Sequence, residues 1–180
     1  MPDTEAIVYR DEQFPAGWNP PSNAHALTFY DCMFATMPTT WPPFLTDLTL
    51  DTCHCDDPIQ WTVPESLSCL KLGFQSLCPA RIPAGLQTLY LRKFRADRLP
   101  DLPQGLKNLI LLRGRMSEFP AALPPSLEYL HLYQSGWRSL PPLPGTLRTV
   151  KLEEQYLDRY PTGPPNLVVQ HDDDCEFGAA

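Results

Sequence analysis

Residues 127–144 read LEYLHLYQSGWRSLPPLP. Leu127, Leu130 and Leu132 stand in the spacing L-x-x-L-x-L, Trp137 and Leu140 follow, and Leu143-Pro144 closes the unit. The pattern then restarts at Leu147. The L-x-L step alternates with period two, so Leu130 and Leu132 face one side of a short strand. Pro124, three residues ahead of Leu127, has no N–H and holds its predecessor extended, which leads the chain into the strand.

Slid outward, the template P-x-x-L-x-x-L-x-L fits Pro21-Ala24-Leu27-Phe29, Pro42-Leu45-Leu48-Leu50 and Pro64-Leu67-Leu70-Leu72. It fits again at Pro83-Leu86-Leu89-Leu91, Pro103-Leu106-Leu109-Leu111, Pro124-Leu127-Leu130-Leu132 and Pro144-Leu147-Val150-Leu152, and Pro164-Leu167 opens an incomplete unit. Successive prolines lie 21, 22, 19, 20, 21, 20 and 20 residues apart. A period near twenty with this interior is the leucine-rich-repeat signature.

The residue before the template proline is usually apolar (Trp41, Val63, Ile82, Leu102, Leu123, Leu143). A second inward group falls five residues after each L-x-L, at Phe34, Cys55, Leu77, Ala96, Met116, Trp137 and Leu157. No stretch of helical periodicity separates the strands. The sequence therefore predicts a repeat solenoid with a parallel β-sheet on one side, an extended or irregular return path, and few or no helices. Each coil buries its apolar face against its neighbours, so stability is close to a one-dimensional sum.

The predicted organisation is a single repeat domain over 1–180. Residues 1–20 cap it, with Ile7 and Tyr9 at the two strand positions; 21–170 carry the repeats; 171–180 form an acidic tail containing Asp172-Asp173-Asp174. Polar ends suit an open solenoid, whose terminal strands otherwise invite edge pairing.

Composition narrows function. The 22 prolines are more than twice the roughly 9 expected at a usual share of about 5%, and the repeat gives them a use as punctuation. A net charge of −7 argues against a nucleic-acid backbone as ligand. Met1–Phe14 has acids where a signal peptide would be basic, and no apolar run reaches membrane-spanning length. The six cysteines are then expected to be reduced, in the cytoplasm or in a host cell reached by a signal not visible in the chain. The sharpest local cluster is Cys53-His54-Cys55 with Asp56-Asp57. Its functional alternatives are a zinc site with Cys69 or Cys78, a reactive thiol, and a Cys32–Cys53 disulfide; the register favours structural cysteines, with Cys53 and Cys55 in the core and His54 outside. No cofactor motif, glycine-rich phosphate loop or catalytic triad is recognisable.

The segments LPDLPQGLKNLILL, LPPSLEYLHLY and LPPLPGTLRTVKL resemble the short repeats of bacterial effector leucine-rich-repeat proteins of the YopM and IpaH type. The resemblance spans about residues 21–170 and is sharpest over 99–161. It implies a curved right-handed solenoid with the sheet on its concave side, acting by binding proteins, without catalysis; its strongest biological variant is a bacterial effector or effector-like protein acting inside a host cell. That family carries an inward Asn three residues after the last L of each unit. Here the position holds Cys32, Cys53, Gln75, Phe94, Gly114, Ser135 and Gln155.

On a concave sheet the residues between and beside the leucines face solvent. Tyr90, Arg92, Ile110, Leu112 and Arg113 form one part of the expected partner-binding face; Tyr129, His131, Tyr133 and Lys151 form the other. Lys93 flanks them, and earlier units contribute Asp47, Asp51 and Lys71. Exposed aromatic and Arg side chains are enriched at binding hot spots, so the leading expectation is a protein partner, bound by a monomer or weakly self-associating chain. A structural module that self-associates through terminal strands is the alternative; a Cys-dependent enzyme or zinc protein using Cys53–Asp57 ranks below both.

Overall fold

The computed structural model describes residues 5–57, 61–73, 81–94, 99, 101–114, 120–134, 140–152 and 164–171. Their strands are β1 (Glu5–Arg10), β2 (Gln13–Phe14), β3 (Ala24–Tyr30), β4 (Met33–Thr36), β5 (Asp47–Asp51) and β6 (His54–Asp57). Then come β7 (Cys69–Gly73), β8 (Thr88–Arg92), β9 (Asn108–Leu112), β10 (Tyr129–Tyr133), β11 (Thr149–Leu152) and β12 (Val168–His171). No described residue is helical, and no helix long and apolar enough to cross a membrane occurs among them.

Nine strands form one parallel sheet in the order β1-β3-β5-β7-β8-β9-β10-β11-β12. Its register is the template alignment. Leu27, Leu48, Leu70, Leu89, Leu109, Leu130 and Val150 form one cross-strand row; Phe29, Leu50, Leu72, Leu91, Leu111, Leu132 and Leu152 form the next. Both rows are buried along their whole length. Ile7 and Tyr9 extend them onto β1, as expected. The third leucine row (Leu45, Leu67, Leu86, Leu106, Leu127, Leu147) is buried as well. Trp41, Val63, Ile82, Leu102 and Leu143 pack half-buried against this core.

Each strand is entered through the same turn. The carbonyl of Pro42 accepts the Leu45 N–H at 3.1 Å, and the pairs at Pro64, Pro83, Pro103, Pro124, Pro144 and Pro164 repeat this bond at 3.1–3.2 Å. None of the residues inside these turns has positive φ, which makes them type I turns. The proline thus supplies the one hydrogen-bonding group it has, its carbonyl.

Each described exit from the strands of the long sheet is a single left-handed residue: Asp11 (φ 54°), Asp31 (52°), Thr52 (54°), Lys93 (52°), Arg113 (53°) and Gln134 (47°). The sequence carries no glycine to announce it. A left-handed non-glycine residue costs about 1–2 kcal/mol. Here the N–H of such a residue adds a rung to the sheet: Asp31 donates to the Asp51 carbonyl at 3.0 Å, Thr52 to Gly73 at 3.1 Å and Lys93 to Leu112 at 2.8 Å.

Past the exit, the first three coils return as strands. β2, β4 and β6 form a second, three-stranded parallel sheet that pairs Phe14 with Phe34 and Phe34 with Cys55. An extended return path was expected, but not its pairing into a sheet. The first coils are sealed by rings: Tyr9 stacks on Phe29 at 5.0 Å between centroids, Phe14 on Phe34 at 4.9 Å, and Trp18 lies 4.1 Å from Phe14. Of the second inward group, Phe34 and Cys55 are buried; Leu77, Ala96, Met116, Trp137 and Leu157 lie outside the described residues, as do Gln75, Ser135 and Gln155.

Two unlike devices fill the described positions of the missing Asn. In the first coils, thiols take its place. Cys32 Sγ donates to the Tyr30 carbonyl at 3.2 Å, and Cys53 Sγ lies 3.4 Å from the carbonyls of both Phe29 and Asp51. Further along, packing replaces hydrogen bonding. The Phe94 ring covers Gly114 so closely that a Cβ there would stand 2.1 Å from Phe94 Cε1.

Candidate functional site

The Cys53–Asp57 cluster is divided between core and solvent. Cys53, Cys55 and Cys32 are buried and not joined in disulfides, and His54 is exposed beside Asp56 at 3.6 Å. Burial, with the neighbouring Cys32, Asp51 and Asp31 adding to it, pushes the Cys53 thiol up to about 12. A buried thiol so hard to ionise is a poor nucleophile and a poor metal ligand. No group of three metal-binding side chains is assembled among the described residues.

The open face of the nine-stranded sheet is built by the residues that alternate with the buried rows. Its middle row runs Val8, Thr28, Thr49, Lys71, Tyr90, Ile110, His131, Lys151, Gln170. Toward the strand exits, Arg10, Tyr30, Asp51 and Gly73 form one row, and Arg92, Leu112 and Tyr133 another. Toward the entries, Cys69, Thr88, Asn108, Tyr129 and Thr149 are in line. The parallel register thus brings all the predicted surface residues of strands β8 to β11 onto one face.

They are not equally available. Arg113 is exposed, and Tyr90, Ile110, Tyr129, Tyr133 and Lys151 are half-buried. Leu112 and His131, expected to face solvent freely, are buried at 6% and 8% exposure. Strands about 4.8 Å apart crowd side chains of one row. Leu112 is hemmed between Arg92 and Tyr133, with Arg113 6.0 Å over the Tyr133 ring. His131 lies between Ile110 and Lys151, with the Tyr129 ring edge-on at 6.4 Å.

Arg92, expected as a free hot-spot cation, is engaged within the chain. It forms an ion pair with Asp51, two strands away, with side chains only 14% and 21% exposed. The intervening β7 ends in Gly73, paired with Asp51. A Cβ at Gly73 would fall 2.1 Å from Asp51 Oδ1. The missing side chain is the space through which the carboxylate reaches the guanidinium. Nothing in the local sequence around Asp51 announces a contact 41 residues away.

The charge on this face is uneven. Strands β7 to β11 contribute Lys71, Arg92 and Lys151 and no Asp or Glu, whereas β5 carries Asp47 and Asp51. No carboxylate among the described residues forms an ion pair with Lys71, Lys151 or Arg113. Lys71 is the member of this group that a search for aromatic and Arg residues passes over; its position between Leu70 and Leu72 is the signal that finds it.

No protein-family model and no curated protein sequence matches the chain. Among solved structures it is similar to YopM from Yersinia enterocolitica WA-314, with a TM-score of 0.54 and 25% identity over 82% of this chain. The aligned part spans 37% of the YopM chain. Repeat period, cross-strand leucine rows and this likeness agree that the chain is a leucine-rich-repeat protein, a parallel β-solenoid of the kind seen in YopM.

Proposed function

We propose that the chain is a non-catalytic scaffold that binds a partner protein on the open face of its long sheet, the concave face of a leucine-rich-repeat solenoid. The observation that carries this reading is the gathering of Tyr90, Ile110, Tyr129 and Tyr133 with Lys71, Arg113 and Lys151 on strands β7 to β11 and their flanks. Aromatic side chains offer large contact area at low entropic cost, and cations at the rim set orientation and encounter rate. The likeness to YopM supports an effector-like setting, in which such a surface meets a protein of another cell.

The test is capture of a partner, identified by cross-linking and mass spectrometry, by the intact chain and by a Tyr90→Ala/Tyr133→Ala variant of unchanged melting temperature. Loss of the partner with the variant is the expected result; undiminished capture refutes the assignment of this face.

One observation favours self-association as a second reading. β12 is the last strand of the sheet, and Val168 and Val169 on it are 52% and 39% exposed. An exposed apolar edge strand is a template for pairing. A mass by light scattering that rises with concentration, and is returned to the monomer by Val169→Lys, supports it; a concentration-independent monomer opposes it.

A further inference from the structure

The middle row of the open face has a regular order of chemistry. Within it, Lys71 on β7 and Lys151 on β11 bracket Tyr90, Ile110 and His131. Four strand spacings separate the lysines, which places their Cα atoms roughly 19 Å apart. No acidic residue interrupts the interval, although the whole chain carries a net charge of −7. Lys71 is exposed and Lys151 half-buried, and neither is paired with a carboxylate among the described residues.

Resting on the reading above, we propose that this row binds an extended acidic segment of a partner protein, laid across the strands. An extended chain rises about 3.3 Å per residue, so roughly 19 Å corresponds to about six residues. Side chains of an extended segment alternate, and residues an even number apart face the same way. A carboxylate at each end of such an interval meets Lys71 and Lys151. The two inward side chains between them, about 6.6 and 13.2 Å along the interval, are apolar; the first rests between Tyr90 and Ile110 and the second between Ile110 and His131. The partner motif is therefore acid-x-apolar-x-apolar-x-acid. Arg113, exposed beyond the end of β9, extends the positive field toward the strand exits. Charge complementarity of this kind fixes register and partner choice more than raw affinity.

The test uses the full chain and two fluorescent heptapeptides, Glu-Ser-Leu-Ser-Leu-Ser-Glu and its counterpart with Lys at both ends. Anisotropy titrations at low and moderate salt are run on the native protein and on a Lys71→Glu/Lys151→Glu variant. Lys71→Gln/Lys151→Gln takes its place if the charge reversal lowers the melting temperature. The acidic peptide is expected to bind the native chain in a salt-sensitive way and to weaken about tenfold or more on the reversed variant. The Lys-ended peptide is expected to prefer the reversed variant.

Equal binding of both peptides, or no dependence on the two lysines, overturns the proposal. So does tighter binding of a single-stranded oligonucleotide, which assigns the row to a nucleic acid, or a native dimer that the lysine changes dissociate, which assigns it to a second copy. Peptide binding seen only after Asp172→Asn, Asp173→Asn and Asp174→Asn are introduced assigns it to the chain's own acidic end. If the peptides fail while Tyr90→Ala/Tyr133→Ala still loses its captured partner, the acidic motif is wrong and the binding face stands.

Discussion

Gly73→Ala should destabilise the solenoid, against the usual effect of that change in a strand. In an ordinary strand interior, glycine costs about 0.5–1 kcal/mol relative to alanine, so alanine would stabilise. At Gly73 the added Cβ would stand 2.1 Å from Asp51 Oδ1 and 2.9 Å from Asp51 Cγ. The carboxylate must move, and moving it separates it from Arg92, with which it forms a largely covered ion pair. Overpacking typically costs about 1–3 kcal/mol, and a parted, half-covered ion pair adds to that. A net loss of about 1–3 kcal/mol is expected, a fall of roughly 2–12 °C in melting temperature for a chain of this size. The control is a double-mutant cycle with Asp51→Ala. Truncating Asp51 removes the carboxylate and leaves its Cα, 3.3 Å away, as the nearest obstacle. In that background Gly73→Ala should cost much less than in the native chain. The assay is thermal or urea unfolding of the four proteins by circular dichroism. A Gly73→Ala protein that melts higher than the native one, or a cycle with no coupling, would refute the account of how Asp51 reaches Arg92.

Two further outcomes follow from the positions where this chain lacks asparagine. Gly114→Ala should lower stability by about 1–3 kcal/mol, because Phe94 occupies the space its Cβ needs; urea unfolding checks it, and Phe94→Ala should remove most of the penalty. Cys53 should resist alkylation in the native chain at pH 8 and label readily in urea, as read by site-resolved mass spectrometry. Its thiol is raised to about 12 in the fold, above an unfolded value near 8.5. The folded state therefore holds the proton more tightly. The stability this contributes is full below about pH 8.5 and is lost as pH rises toward 12, so urea midpoints should fall across that window and fall less in Cys53→Ala.

What could be read from the sequence was whatever repeats. Leu89 and Leu109 belong to one row because each sits six residues after a proline, and that arithmetic needs no knowledge of contacts. The same arithmetic put Cys53 and Cys55 inside and His54 outside. The two devices that take over the described asparagine positions could not be read in this way. They depend on a pair of residues in neighbouring coils: a phenylalanine suits this position because the next coil has glycine at Gly114. The left-handed exits escaped for a related reason. Their cost is met by a rung to the following strand, a term that the residue's own propensity does not contain.

The same distinction bears on the open face. Alternation between leucines told which residues point outward, and the sheet register confirms that they share a face. It did not tell which of them are spent on the fold. Arg92 looks like the best hot-spot candidate by residue type, yet it anchors Asp51 across Gly73; substituting it would mix loss of contact with loss of stability. Leu112 and His131 are similarly consumed by their neighbours in the row. Tyr90 and Ile110 with the two flanking lysines keep more of their surface for a partner. Recognition by this chain should therefore follow the middle row more closely than the exit row. Lys71→Glu/Lys151→Glu should alter binding while leaving melting unchanged, whereas Arg92→Ala should alter both.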